Sequence, residues 1–295
     1  MKLGTLIGRR TALIGRKAAL ILILCSLFPA SGHARQIGSL EEGKLIYMER
    51  CFQCHGPEGK GDGTAAEFLP RKPRDFTAGV YKLKSSPPDV MRARDEDIFM
   101  AISQGLLSNG MPSWSSTLSE SQIWSLVAYV KSLSDMYDDE QNPQALKIPN
   151  TPRTPDTVRW GRKAYFDLKC DDCHGENGRG NPDKKLKDDY GKKIYPRDLT
   201  RQWTFIGPYT REALYTRITN GIPVTPMPPH YDPKKEADLS QQRMDVVDYI
   251  MSLAEQAEKK RQRKRMLIAA LAAAAVFFAI WLWMGGRGED ESQET

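Results

Sequence analysis

Apolar positions along this chain fall mostly at helical spacing, with one continuous apolar stretch at each end. Near the N-terminus Lys2, Arg9, Arg10, Arg16 and Lys17 lead into an apolar core over 18–28, followed by Pro29-Ala30-Ser31-Gly32-His33-Ala34. A basic start, a short apolar core and small residues are the layout of a cleaved secretory signal, with the cut after Ala34 and Cys25 as a leader residue. That core is too short for an easy membrane span. Further on, Leu40, Ile46 and Tyr47 share one face of a predicted helix that runs toward Cys51. Ile123, Trp124, Val127, Val130 and Leu133 make an apolar stripe on a helix predicted over 119–133, and a similar helix is predicted over 240–253. Trp124 and Tyr129 read as core packing. Between these regions, 137–156 carries an acidic run with Pro143, Pro149, Pro152 and Pro155, the composition of a semi-rigid linker. Finally, 266–284 is uncharged and about 28 Å long as a helix. Trp281 and Trp283 suit the interfacial belt, so this stretch is predicted to anchor the chain in a membrane.

Charge sharpens that picture. The formal net charge of +6 on 295 residues would suit nucleic acid, but its distribution does not. The five basic residues of the leader account for most of it; six more sit together at 259–265, just before the anchor. Nucleic-acid binding is therefore not expected, and the charge concerns membranes. The cluster lies on the domain side of the anchor, whereas Lys and Arg normally stay cytoplasmic. Anionic headgroups or an acidic partner subunit are the alternatives it suits. A composition of 40% hydrophobic and 27% charged residues excludes wholesale disorder and a polytopic membrane protein.

Four cysteines remain: Cys51, Cys54, Cys170 and Cys173, in two C-x-x-C pairs. A zinc ribbon places its pairs some 15–20 residues apart, and here they are far more distant; local disulfides are a second possibility in an oxidising compartment. However, His55 and His174 directly follow Cys54 and Cys173, in a chain with only 4 histidines. C-x-x-C-H is the signature of covalent c-type haem attachment.

The surroundings of the two motifs repeat. Gly43 and Tyr47 precede the first, Gly161 and Tyr165 the second. Each histidine opens H-G-x-x-G-x-G, with glycines at 56, 59 and 61 and at 175, 178 and 180. Pro73-Arg74-Asp75-Phe76-Thr77 recurs as Pro196-Arg197-Asp198-Leu199-Thr200. Ile102-x-x-Gly105 leads to Met111-Pro112, and Ile218-x-x-Gly221 leads to Met227-Pro228. Tyr129 and Tyr249 lie in the two closing helices. These landmarks, in one order, indicate a duplicated unit.

On these motifs the chain resembles the dihaem c-type cytochromes built from two class I cytochrome c domains. The resemblance implies a mostly α fold: two tandem class I cytochrome c-like helical domains with a C-terminal transmembrane helix. The expected divisions are a signal peptide over 1–34, domain 1 over 35–136, a linker over 137–156, domain 2 over 157–257, the basic cluster over 258–265, the anchor over 266–284 and an acidic tail over 285–295. It implies two covalently attached haem c groups, held through Cys51 and Cys54 and through Cys170 and Cys173, with His55 and His174 as proximal iron ligands. Met111 and Met227 match the position of the family's distal ligand, with His230 an alternative to Met227. Arg74 and Arg197 either pair with haem propionates or brace their own loop through the adjacent Asp. The glycines after each histidine are expected to let the backbone pass close to the haem face.

The implied function is single-electron transfer at the periplasmic face of a bacterial inner membrane. The donor would be a quinol-oxidising complex or dehydrogenase, and the acceptor a cytochrome or oxidase. No catalytic residue is implied. The alternative is a dihaem enzyme, peroxidase-like or oxidising sulfur compounds, with one open iron. A redox or gas sensor is a third reading, disfavoured because only a short tail follows the anchor.

Overall fold

In each half of the chain two helices cross at a glycine, and this crossing organises the fold. The computed structural model describes residues 38–285 except Glu140 and Pro182. The predicted leader with Cys25, and the tail beyond Gly285, lie outside the described residues. In the first half, α1 (Leu40–Arg50) starts at Ser39, whose side chain accepts from the Glu42 amide. After it come the single turn α2 (Phe52–His55), α3 (Asp95–Gln104) and α4 (Glu120–Lys131). Ser119 and Gln122 cap α4 reciprocally, which sets its start. The second half repeats the scheme with α5 (Pro155–Asp167), the single turn α6 (Asp171–His174), α7 (Arg211–Asn220) and α8 (Glu236–Gly285).

A Cβ on Gly43 would sit 1.9 Å from the Ser125 carbonyl oxygen on α4, and one on Gly161 would sit 1.8 Å from that of Asp245 on α8. No other residue permits so close an approach. Tyr47 packs on Tyr129 at a 5.0 Å centroid separation, and Tyr165 on Tyr249 at 5.4 Å. Thus the paired glycines and tyrosines serve the same helix crossing in both halves. Leu40 is exposed, because the buried face of α1 is set by Gly43, Ile46 and Tyr47 at the crossing. Trp124 is partly buried and stacks on Phe99, and Tyr129 is buried in the first core. The second core gathers Tyr165, Leu199, Leu214, Val246, Val247 and Ile250. A short antiparallel hairpin, β1 (Leu186–Lys187) with β2 (Lys193–Ile194), adds a small non-helical element to the second half.

The linker is shorter than its composition suggests. Tyr137 is buried in the first core, where its hydroxyl accepts from the Ala93 amide at 3.1 Å. Pro155 is already the first residue of α5, a position where its missing N–H costs nothing. The stretch between is fixed by hydrogen bonds as well as by its prolines. Arg94 Nε donates to the Pro143 carbonyl, the Leu146 amide to that of Ser85, and Arg211 Nη1 to that of Thr151.

The two halves also touch directly. Asn220 Nδ2 at the end of α7 donates to the carbonyls of Lys84 (2.9 Å) and Ser86 (3.1 Å). Beside it, the space at Gly207 is taken by Leu83, whose Cδ1 would stand 2.6 Å from an added Cβ.

The closing helix of the second half, the basic cluster and the apolar stretch are divided in the sequence-based scheme, yet they form one helix. No glycine or proline interrupts 236–284, so nothing breaks the hydrogen-bond ladder. Its buried side chains end at Ala254, and those over 266–284 are exposed. Among the described residues this is the helix long and apolar enough to cross a membrane, with a mean hydropathy of 2.4 in its apolar window.

Candidate functional site

Each C-x-x-C-H motif lies at the end of the first helix of its half and forms a tight turn. The His55 amide donates to the Cys51 carbonyl at 3.0 Å, and the His174 amide to that of Cys170 at 2.8 Å. One helical turn thus brings two thiols to the same side, because residues three apart face together. Gly56 and Gly175 end the turns at φ 78° and 73°. The hydroxyls of Tyr47 and Tyr165 donate to the carbonyls of these two glycines, both at 2.7 Å, tying each motif to the helix crossing. Neither cysteine pair forms a disulfide. Burial pushes the Cys51 and Cys170 thiols up to about 12, with Cys54 and Asp171 adding to the effect.

Both imidazoles are oriented by backbone. Nδ1 of His55 donates to the Arg74 carbonyl at 3.4 Å, and Nδ1 of His174 to the Arg197 carbonyl at 3.0 Å. With the proton on Nδ1, the Nε2 lone pair is free for a metal. Burial holds both imidazoles below the usual histidine range, against the opposing pull of these hydrogen bonds. Phe76 stacks on His55 at 4.4 Å.

The repeated Pro-Arg-Asp-x-Thr segment is therefore a structural brace. Asp75 Oδ1 accepts from the Thr77 amide and hydroxyl, and Asp198 Oδ1 does the same for Thr200. The aspartates serve their own turns rather than the preceding arginines. Arg74 Nη2 is left buried without a hydrogen-bond partner. The last glycine of each H-G-x-x-G-x-G run approaches this brace, and the middle one a leucine in or just past the closing helix. A Cβ on Gly61 would stand 2.5 Å from the Pro73 carbonyl oxygen, and one on Gly59 would stand 2.8 Å from Leu133 Cδ1.

The distal loops correspond as closely. The Leu106 amide donates to the Met111 carbonyl (2.9 Å), and the Ile222 amide to that of Met227 (3.1 Å). Three residues on, the Trp114 amide donates to the Ile102 carbonyl (3.2 Å) and the His230 amide to that of Ile218 (3.0 Å). His230 thus stands where the first half has a tryptophan. The fully buried Arg243 of α8 holds the His230 carbonyl through Nη1 at 2.9 Å. Val224, in the same loop, adopts φ 61°, a strained conformation for a β-branched residue.

Cys51, Cys54, His55, Arg74, Met111 and Trp114 line one cavity of about 150 Å³. Cys170, Cys173, His174, Arg197, Met227 and His230 line another of about 430 Å³. All of the residues nominated from the sequence therefore fall on two cavity walls, one set per half. Four others were missed: Arg71, Lys72, Lys82 and Asn109 line both cavities. The run Arg71-Lys72-Pro73-Arg74 was a usable signal for the first two; Lys82 and Asn109 carried none. Among the described residues no group of three or more His, Cys, Asp or Glu could hold a bare metal ion. Paired thiols and one oriented imidazole in each cavity, with the unsatisfied buried Arg74 guanidinium in the first, instead fit an iron porphyrin with acidic side arms.

Residues 38–130 match the family model described as cytochrome c oxidase, cbb3-type, subunit III, and residues 158–254 match the one described as cytochrome c. No curated protein matches the chain. A solved chain of the Kuenenia stuttgartiensis reducing HAO-like protein complex is 35% identical, with a TM-score of 0.63. The match covers 72% of this chain and 96% of that one. Electron transfer is the function that such domains imply. By this relative and the two domain matches, the chain belongs to the c-type cytochromes, as a mostly helical tandem of two cytochrome c domains with two covalently bound haem c groups.

Proposed function

We propose that this cytochrome is a membrane-anchored electron carrier on the periplasmic face of a bacterial inner membrane. It takes single electrons from a quinol-oxidising complex or dehydrogenase and delivers them to an acceptor cytochrome or oxidase. When bound, each haem c supplies a centre that gains and loses one electron. Cys51 and Cys54, and Cys170 and Cys173, hold the two groups covalently. His55 and His174 would offer Nε2 to the iron, each kept in one tautomer by a backbone carbonyl. Met111 and Met227, which line the same cavities, would supply the second iron ligand of each group and so keep other ligands out. Arg74 and Arg197 present guanidinium groups to propionates. The observation that carries this reading is the same histidine and methionine placement in both cavities, supported by equivalent backbone hydrogen bonds. The helix running unbroken from the second domain into the apolar stretch supports the anchor, and the basic cluster before it suits anionic headgroups.

A second reading, an enzyme with one open iron, is favoured by one feature. The second cavity is the larger, and it holds His230 beside Met227. The solved relative's place in a reducing HAO-like complex is compatible with either reading. The test is a haem count with optical spectra of the dithionite-reduced protein, with and without carbon monoxide. Two haems per chain that both ignore carbon monoxide are expected, and Met111→Ala or Met227→Ala should open one haem to it. Ready binding by the unsubstituted protein would overturn the carrier reading in favour of the enzyme.

A further inference from the structure

The wall shared by the two cavities is strongly cationic. Arg71, Lys72 and Lys82 belong to both linings, Arg74 to the first and Arg197 to the second. Five positive side chains thus face one seam between the two domains. Asp188 pairs with Arg71 at 3.7 Å and Asp189 acts on Arg74. Asp75 and Asp198 are committed to their own turns, Asp97 accepts from the Ser85 and Arg94 amides, and Asp172 lies on the second cavity alone, so the cations remain in excess. Lys82 has no hydrogen bond or ion pair within 4 Å among the described residues, and it is half-buried. Burial and the neighbouring Arg74, Arg71 and Arg197 bring its ammonium down to about 8, with Asp188 opposing. Lys82 is also fixed in place, because it begins the segment that the second domain grips through Leu83 at Gly207 and through Asn220.

Lys72 is exposed and lies over the Tyr190 ring, but the other four are half-buried, and half-buried cations in such excess are stabilised by facing anions. The anions that both cavities would bring are haem propionates, two from each group. We propose that Lys82, with Arg71, is a positioning residue common to both haem sites, a shared cationic wall that sets the two reduction potentials together. This rests on the proposed assignment of one haem to each cavity. It goes beyond one arginine per haem, because a single side chain acts on both. A fixed positive charge favours the reduced state of each centre, so removing it should lower both potentials.

The test uses the full-length holoprotein. Spectroelectrochemical titration of Lys82→Gln, Lys82→Arg and the exposed control Lys147→Gln follows a haem count and spectrum for each. In Lys82→Gln both one-electron components should move to lower potential, each reduction equilibrium weakening by about tenfold, the scale of a unit charge at an effective dielectric constant of about 20. Lys82→Arg should stay near the parent, and Lys147→Gln should not move. A shift of one component only, no shift, or an equal shift in Lys147→Gln overturns the proposal. If Lys82→Gln loses haem, Arg71→Gln provides the same test, with both components again expected to fall. Carbon monoxide binding by the parent would instead count against the carrier reading, and leaves this comparison between variants intact.

Discussion

Asp248 offers the sharpest test of how the second domain is held together. Its carboxylate is fully buried on α8 and accepts from Arg211 Nε (2.6 Å) and Nη2 (2.9 Å) and from the Thr157 hydroxyl (2.6 Å). Arg211 in turn donates to the Thr151 carbonyl at 2.6 Å. One carboxylate therefore ties α8 to the start of α7, the start of α5 and the linker. Asp248→Ala would leave the Arg211 charge unpaired against the core and remove three acceptor contacts. Removing one partner of such a buried pair costs about 3–5 kcal/mol. For a domain near 100 residues that corresponds to a fall in Tm of about 15–30 °C. The assay is thermal denaturation of the holoprotein followed by circular dichroism at 222 nm. Glu255→Gln is the comparison, because its pair with Arg153 is half-exposed and should contribute about 1 kcal/mol or less. A loss in Asp248→Ala no larger than that in Glu255→Gln would refute the reasoning.

Three shorter predictions address the crossing, the motif and the anchor. Gly161→Ala places a methyl group against the Asp245 backbone; it should destabilise the second domain by about 1–3 kcal/mol, read by chemical denaturation. Gly43→Ala should do the same to the first domain through Ser125. Tyr165→Phe leaves the Gly175 carbonyl without its 2.7 Å donor and should cost about 1–3 kcal/mol with haem content retained, whereas loss of haem would mean the bond is needed for attachment. Truncation after Ala257 should release a soluble protein carrying two haems on membrane fractionation, while persistence in the membrane would show that another segment holds it.

The chemistry of this protein was legible along the chain because covalent haem attachment is local. Two thiols and an imidazole must lie within one helical turn, so Cys51 to His55 and Cys170 to His174 announce themselves. The duplication was legible because each unit repeats its short local motifs in the same order, even though the loops between them differ in length. The membrane-length stretch over 266–284 follows from composition alone. Other features needed the tertiary fold. Nothing in the spacing shows that Gly43 and Gly161 exist for helix crossings, because their partners Ser125 and Asp245 are more than eighty residues away. The Asp of Pro-Arg-Asp turns to its threonine rather than to its arginine, a competition between hydrogen bonds that only geometry decides. Lys82 looks like any surface lysine until the second domain docks and confines it beside four other cations. Local bonding rules can be read in one dimension, but burial and electrostatic crowding depend on distances that exist only after folding.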